Sequence, residues 1–176
     1  SGRVMADGLD AGYLTPFLSS VFSGISGTAS GQLDIGGLIT KPELRGKDLR
    51  IDNAKMRVNF TGVEYSAAGP VDFSSDGIMF NGVRISDRYG AEGNVSGGIK
   101  WRNFKDMEFG IHLNFRDLLA LDTKEEDNST FYGKLFATGT LDITGPLSSL
   151  LLSADATTAK TGALHIPIGG SPSASV

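Results

Sequence analysis

The segment from Met107 to Phe115, with the sequence MEFGIHLNF, alternates strictly between large apolar residues and others. Its apolar residues occupy every second position, and Glu, Gly, His and Asn stand between them. Because successive side chains of a β-strand point to opposite faces, this pattern predicts a strand with one fully apolar face. A chain built on such strands must cover that face, either with its own core or with an apolar ligand.

Short alternating segments continue along most of the chain after Gly31, and glycine separates many of them. The chain has 24 glycines in 176 residues, whereas average usage would give roughly 12. We therefore expect many strands joined by turns, in a chain long enough to bury a core. The apolar positions of these segments are Leu33 and Ile35; Leu49 and Ile51; Met56, Val58 and Phe60; Val63 and Tyr65; Val71 and Phe73; Ile78 and Phe80; Val83 and Ile85; Val95, Ile99 and Trp101; Leu135, Leu141 and Ile143; Leu150 and Leu152; Leu164, Ile166 and Ile168.

Glycine-containing segments predict how these strands are joined. Ser75-Asp76-Gly77 and Asn81-Gly82 carry turn residues, and we expect each to end a strand. At Thr61-Gly62 the alternation shifts by one residue, which predicts a bulge or bend within one continuous strand. The acidic segment from Asp122 to Thr130 contains no apolar side chain and predicts a solvated loop.

The first 30 residues follow a different spacing. Apolar residues recur there as on one helix face, at Leu14, Phe17, Leu18, Val21 and Phe22. Pro16 fits the first turn of such a helix, Thr15 fits its N-cap, and Gly24 and Gly27 would end it. We therefore expect a short amphipathic helix and linker in residues 1–30, a sheet in residues 31–170 and a flexible tail in residues 171–176.

Composition and motifs argue against several classes of function. A net charge of −4 with scattered basic residues is unlike a nucleic-acid surface, and the absence of cysteine removes thiolate chemistry and cysteine-bound metals. His112 and His165 have no partner at metal-ligand spacing, and no HExxH motif or Walker loop occurs. No apolar run approaches the roughly 18 residues of a membrane span. The sequence therefore predicts no catalytic residue, no metal, no cofactor and no enzymatic activity.

The apolar faces need a partner in any fold. Burying one Phe, Leu or Ile side chain is worth roughly 1.5 to 3 kcal/mol, so the strand from Met107 to Phe115 represents on the order of 10 kcal/mol. From periodicity alone, the favoured fold is a two-layer sandwich or closed barrel whose own core covers these faces.

Several longer stretches follow one another in a set order: YLTPFLSSVF, SGQLDIGG, ITKPELRGKDLRIDNAKM, VNFTGVEYS, VRISDRYGAEGNVSGGIKWRNFKDMEFGIHLNF and DNSTFYGKLFATGTLDITGPLSSLLLSADATTAKTGALHIPI. The order resembles the C-terminal region of the TamB family, within the AsmA-like group of large bacterial envelope proteins. The D-x-x-G at Asp87 and the F-Y-G at Phe131 are its most specific pieces. The resemblance extends over nearly the whole chain, from Leu9 to Ile168.

The resemblance implies a mainly β fold, in which an antiparallel sheet curls into an open, U-shaped hydrophobic groove, often called a β-taco. It also implies a periplasmic segment of a single-pass inner-membrane protein of a Gram-negative bacterium, with the membrane contact in parts of that protein outside this fragment. Phospholipid acyl chains would move along the groove between the inner and outer membranes. An open groove thus replaces the closed sandwich as the expected fold.

The residues expected to line this groove are apolar members of the alternating segments. They are Leu33, Ile35, Leu49, Ile51, Val58, Phe60, Ile78, Phe80, Ile99, Trp101, Met107, Phe109, Ile111, Leu113, Phe115, Leu135, Leu141, Ile143, Leu152, Leu164 and Ile166. For each of them, packing within the protein's own core is an equally good interpretation.

The same resemblance leaves a second function open. It implies an outer-membrane β-barrel partner of the Omp85 type, TamA or BamA-like, and a role in the assembly or secretion of outer-membrane proteins such as autotransporters. Unpaired edges of an open sheet would then bind unfolded strands. A third interpretation, a structural or carbohydrate-binding module, has little support in one tryptophan and four tyrosines.

Overall fold

A computed structural model describes residues 2–38, 41–102, 105–159 and 161–167, and within them nearly every segment is a β-strand. The predicted tail, residues 171–176, and Ile168 lie outside the described residues. The strands are β1 (Gly2–Asp10), β2 (Phe22–Leu38), β3 (Lys41–Val58), β4 (Val63–Ser74), β5 (Gly77–Ser86), β6 (Glu92–Arg102), β7 (Lys105–Thr123), β8 (Tyr132–Pro146), β9 (Leu151–Thr158) and β10 (Ala163–His165). The prediction of a mainly β chain is confirmed.

All ten strands form a single antiparallel sheet. From β1 to β8 each strand pairs with the next one along the chain, while β9 and β10 both pair with β8. The sheet is open in the described part of the chain, with β1 at one edge and β9 and β10 at the other. The closed sandwich or barrel that periodicity alone favours is not formed.

The N-terminal helix predicted over Leu14 to Phe22 is wrong. Between β1 and β2 the only helical segments are a 3-10 turn at Ala11–Leu14 and a four-residue helical turn, α1 (Thr15–Leu18). A further 3-10 turn, Leu147–Ser149, lies between β8 and β9. Phe22 already belongs to β2 and pairs with Val58 of β3. Backbone groups that form this ladder are not available to helical hydrogen bonds, so the sheet replaces the rest of the helix. β1 and the first part of β2 thus occupy the region expected to hold a helix and linker.

Two glycine-containing segments have the opposite roles to those predicted, because the predicted turn is a bulge and the predicted bulge is a turn. Asn81-Gly82 is a bulge inside β5, because the residues on both sides of it pair with β6. Thr61-Gly62 belongs to the turn that joins β3 to β4, where the Gly62 amide donates to the Val58 carbonyl over 2.9 Å. The predicted turn at Ser75-Asp76 is confirmed, and residues 124–127 form an exposed loop as predicted. The loop begins later than the predicted Asp122, because Asp122 and Thr123 still belong to β7 and Thr123 is buried.

The alternating segment that begins at Met107 lies in β7, which is longer than the pattern indicates. After Phe115 the strand bulges at Arg116 and Asp117, where Asp117 has a φ of 51°. Pairing with β8 resumes at Leu118, which lies opposite Ala137. A second bulge follows between Leu119 and Leu121. The two bulges together keep Leu118 and Leu121 on the same face as Phe115.

Candidate functional site

The predicted groove residues of neighbouring strands lie opposite one another and therefore share one face of the sheet. Ile99 of β6 pairs with Phe109 of β7, and Ile111 of β7 pairs with Ile143 of β8. Ile143 in turn pairs with Leu152 of β9. Directly opposed residues in a ladder point the same way, so one face of the sheet is apolar across these strands. We call it the apolar face.

The predicted residues differ widely in their exposure to water. Buried are Leu49, Ile99, Trp101, Met107 and Phe109. Half-buried are Leu33, Ile51, Val58, Ile78, Phe80, Ile111, Leu113, Phe115, Leu135, Leu141 and Ile143. Exposed are Ile35, Phe60, Leu152, Leu164 and Ile166. The structure therefore brings most of the predicted residues together, but it covers the middle of the face far more than its margins.

In the middle of the sheet, β3 to β7 pack their apolar side chains against one another. One cluster of buried residues comprises Leu49, Ala54, Ala67, Val71, Val83, Ile85 and Leu118. A second comprises Ile99, Trp101, Met107 and Phe109. Half-buried Ile78 and Phe80 contact both clusters, so the central part of the apolar face is one continuous packed layer.

At its two margins the apolar face remains open to solvent. On the first margin, Val4 of β1 pairs with Leu33 and is 48% exposed, and Leu9 and Ile35 are also exposed. On the second margin, Leu152 of β9 is 51% exposed. We call these margins the two wings. One consists of β1 and the facing part of β2, and the other consists of β9 and β10. Here apolar side chains are exposed to water, and no layer of described residues covers them.

Sequence reasoning missed several residues of the central layer. Leu118 and Leu121 lie beyond the bulge in β7, opposite Ala137 and Leu135, where the shifted alternation concealed them. Alanines such as Ala67 are buried in the first cluster but are too small to stand out in a hydrophobic pattern. The run of leucines after Asp117 was the signal that could have found the first group.

Phe60 is the predicted residue whose position differs most from expectation. It lies in the turn between β3 and β4 and not on a strand. Its ring contacts Phe131 edge to face, with centroids 5.1 Å apart, and 60% of its surface is exposed. Phe60 therefore contributes to one end of the sheet and not to the central layer.

At this end the sheet curls over its apolar face. In a flat sheet, β4 and β7 would be separated by roughly 14 Å, the width of three strand spacings. Instead the Tyr65 hydroxyl of β4 donates to the Leu119 carbonyl of β7 over 2.7 Å. The Asp122 amide of β7 also donates to the Thr61 carbonyl over 2.8 Å. We call this contact between the ends of β4 and β7 the closed end.

A buried carboxylate holds the closed end together. Asp87, in the loop between β5 and β6, accepts hydrogen bonds from the amides of Leu119 (2.7 Å), Tyr89 (2.8 Å) and Ala91 (3.1 Å). The Leu119 amide lies where β7 extends beyond the end of β6 and has no strand partner on that side. Burial raises the pKa of the Tyr65 hydroxyl, and the nearby charge of Asp87 raises it further. Tyr65 thus remains a hydrogen-bond donor at every physiological pH.

Gly62 lets the backbones approach at the closed end. Its φ is +69°, and a Cβ at this position would lie 2.5 Å from the Asp122 carbonyl oxygen. Any other residue would force the β3–β4 turn away from β7.

The opposite end of the central layer is built around Trp101. Its indole nitrogen donates to the Ser75 carbonyl over 2.9 Å, and its ring lies 5.9 Å from that of Phe73. Leu18 of α1 and Leu147, in the turn after β8, pack against the same cluster. This end is covered by side chains and by a helical turn, whereas the closed end is joined by hydrogen bonds in which side chains and backbone groups take part.

Two kinds of site are not found in the described ranges. No three His, Asp or Glu side chains there come close enough to hold a metal ion. No helix there is long and apolar enough to cross a membrane.

A family comparison matches this chain over residues 81–176 to the TamB C-terminal domain. The match covers more than half of the chain and includes the second part of β5 and all of β6 to β10, with Asp87 and β7 of the closed end. Tyr65 and the β3–β4 turn lie outside it. The chain belongs to the TamB family. No curated protein and no solved structure gives a significant match.

Membership of the TamB family confirms the resemblance that the order of the strand segments indicates. It implies an envelope protein with a TamB-family role in the transport of envelope proteins or lipids. One open antiparallel sheet with an apolar face fits the TamB fold, although the match by itself does not distinguish between lipid and protein as the transported molecule.

Proposed function

We propose that this TamB domain conducts phospholipid between the inner and outer membranes, without catalysis, as a periplasmic part of a protein anchored in the inner membrane. In this proposal the acyl chains lie on the apolar face and the headgroups stay in water. The observation that carries the proposal is the pair of wings, where apolar side chains of a continuous face remain exposed.

The energetics favour the wings as the surface for acyl chains. Transfer of an acyl chain to water costs about 0.8 kcal/mol per CH₂. Side chains such as Val4 and Leu152 expose about half of their surface, so an acyl chain that covers them removes apolar area from water on both partners. The buried clusters of the central layer offer no such gain, because their side chains already cover one another.

Charged substitutions on the two faces of the wings test this proposal. Val4→Asp and Leu152→Asp place a carboxylate on the apolar face, and each position is exposed enough to accept the change without unfolding. We expect phospholipid that copurifies with the double variant, measured by native mass spectrometry, to fall at least about tenfold, since a carboxylate among acyl chains costs several kcal/mol.

The chain supplies a matched control for each substitution. Met5 and Leu151 are the neighbouring residues on the same strands, and they point to the opposite face and are even more exposed. Met5→Asp with Leu151→Asp should leave the copurifying phospholipid unchanged. An equal loss in the two double variants would reject the apolar face as the lipid site.

A second function is favoured by the free edge of β9. All eight residues of β9 are exposed, and in the described ranges only β8 pairs with it. An unfolded strand of an outer-membrane protein, or the Omp85-type partner, could extend the sheet there by β-augmentation. This function depends on backbone groups and not on the apolar face.

Proline substitution separates the second function from the first. Successive amides of a strand point to alternate sides, so one of Ala154→Pro and Asp155→Pro removes a free amide and the other removes a bond to β8. If the edge binds strands, one of these variants should lose binding of the β-barrel partner in a pull-down while it keeps its lipid. Loss of lipid without loss of the partner would support conduction instead.

A further inference from the structure

Three segments meet at Asp122, next to the closed end. The Asp122 amide bonds to Thr61, which follows Phe60 in the β3–β4 turn. The Asp122 carboxylate forms an ion pair with Arg88 of the β5–β6 loop at 2.6 Å. Phe60 and the Arg88-Tyr89 segment therefore lie on the same end of the molecule, beside the start of β8.

Two cations converge on the side chain of Tyr89. The Lys134 ammonium donates to the Tyr89 hydroxyl and lies 4.7 Å from the centre of its ring. The Arg88 guanidinium lies 5.1 Å from the same centre. The Tyr89 ring packs edge to face on Phe136, with centroids 5.5 Å apart, which fixes the tyrosine between the two cations.

The two cations of this group differ in their ion-pair partners. Asp122 pairs with Arg88, whereas no carboxylate in the described part of the chain lies within ion-pair distance of Lys134. Hydrogen bonds from Lys134 and then Arg88 lower the pKa of the Tyr89 hydroxyl, so the local field favours a negative charge at this oxygen. Lys134 therefore has no carboxylate at ion-pair distance in the described ranges and can attract an anion.

We propose that Arg88 and Lys134 bind the phosphate of a phospholipid headgroup at a membrane surface, with Phe60 and Tyr89 entering the interface beside it. The Arg88 guanidinium and the Lys134 ammonium lie 5.1 Å and 4.7 Å from the centre of the same ring, and the oxygens of one phosphate offer acceptors to both. The proposal deepens the proposed function and rests on it, because it gives the conducting domain a point of contact with a bilayer.

The neighbouring aromatic residues favour a lipid headgroup over free phosphate. Phe60 is 60% exposed and Tyr89 is 54% exposed. Aromatic rings beside Lys and Arg are the composition of a protein surface that sits among lipid headgroups. A site for free phosphate would have no use for the exposed ring of Phe60.

Lys134 and Phe136 lie on the face of β8 opposite the apolar face, because Leu135 between them points to the apolar face. The headgroup site is therefore separate from the acyl-chain surface of the wings. The acidic turn at Glu125, Glu126 and Asp127 follows on the same β7–β8 connection and opposes anions in general. Binding must then depend on the paired cations and not on a general positive charge.

Vesicle flotation of the purified 176-residue chain tests the site. The vesicles contain phosphatidylcholine with one fifth phosphatidylglycerol. Because each basic side chain at a membrane surface is worth about fivefold in binding, Arg88→Gln with Lys134→Gln should lower the bound fraction about tenfold to thirtyfold. The control, Lys47→Gln with Lys100→Gln, changes the same charge at two exposed lysines elsewhere and should alter binding less than about twofold.

Two further measurements identify the source of the phosphate. Phe60→Ser should weaken vesicle binding and leave the response of Lys134 to inorganic phosphate, followed by NMR, unchanged. Binding of inorganic phosphate without binding of vesicles would overturn the proposal, and so would an equal loss in the control pair. All variants should keep the circular dichroism spectrum of the unchanged chain.

This test is independent of the test for conduction. Arg88→Gln with Lys134→Gln should leave the copurifying phospholipid of the apolar face in place, while Val4→Asp with Leu152→Asp should remove it without removing vesicle binding. Failure of the vesicle experiment alone would reject the headgroup site and leave conduction standing.

Discussion

The central layer and the wings carry the same alternation of apolar residues, yet their apolar side chains meet different surroundings. Phe109 in the central layer is 4% exposed, whereas Leu152 in a wing, on the same face, is 51% exposed. The central strands have a partner on each side and curl over their own face at the closed end. The wings lie at the sheet edges, where nothing in the described ranges covers them.

Because of this difference, the two regions have different roles. Packing in the central layer supplies the free energy that keeps the sheet curled, and the wings leave apolar surface for a ligand. A single alternating pattern can therefore serve stability in one place and binding in another. Substitutions that compare equivalent side chains in the two regions can break or sharpen this division.

The largest expected effect comes from truncation in the central layer. Phe109→Ala removes a buried ring and should lower the free energy of unfolding by about 3 to 5 kcal/mol. Leu152→Ala, in a wing, should lower it by less than about 1 kcal/mol, because the side chain already contacts water. Urea unfolding followed by tryptophan fluorescence measures both. Similar losses would show that the wing is packed as tightly as the centre.

The next effect concerns the closed end. Asp87→Asn replaces a carboxylate that accepts three amide hydrogen bonds and should cost about 2 kcal/mol. Asp155→Asn makes the same change on exposed β9 and should cost less than about 0.5 kcal/mol. Thermal unfolding of the two variants gives the comparison. A small loss for Asp87→Asn would mean that the curl does not depend on this carboxylate.

A smaller effect is expected from the tyrosine that joins β4 to β7. Tyr65→Phe leaves the Leu119 carbonyl without its donor and should cost about 1 to 2 kcal/mol. Because the folded state raises the pKa of Tyr65, the unfolded chain loses this proton first, and stability should fall as the pH rises above about 10. The variant should show a shallower fall over the same pH range. A fall of equal steepness would assign the alkaline loss to other groups.

The smallest effect is expected on the outward face of a wing. Met5 is 72% exposed and points away from the apolar face. Met5→Lys should change the free energy of unfolding by less than about 0.5 kcal/mol and leave copurifying lipid unchanged. A clear loss of stability or lipid would show that the outward face of β1 is covered in solution.

The sequence predicted the strands better than their connections. Gly62 and Gly82 both adopt a positive φ, 69° and 78°, although the first lies in a turn and the second in a bulge. The local conformation that each glycine permits is the same, so local pattern cannot separate them. Which one reverses the chain depends on whether the following residues pair back with the preceding strand, and that pairing involves residues far along the sequence.

The direction of each apolar side chain was also predictable, but its burial was not. Alternation placed Ile99, Phe109 and Leu152 on one face, as the cross-strand pairing confirms. Burial depends on whether a strand ends up at the centre or at an edge, which a single strand does not encode. The predicted helix over Leu14 to Phe22 was wrong for a related reason, since the pairing of β2 with β3 outweighs a local helical spacing.

The lengths of neighbouring strands have a consequence for how such domains can change. β5 and β6 have 10 and 11 residues, whereas β7 has 19. It extends seven residues past Arg116, which is its last residue paired with β6. The free overhang of β7 is what reaches Tyr65 and the β3–β4 turn. Lengthening the β5–β6 hairpin by a few residue pairs would extend the ladder beneath the overhang and hold β4 and β7 apart. Insertions and deletions in this hairpin, more than substitutions, would then set how wide the sheet opens.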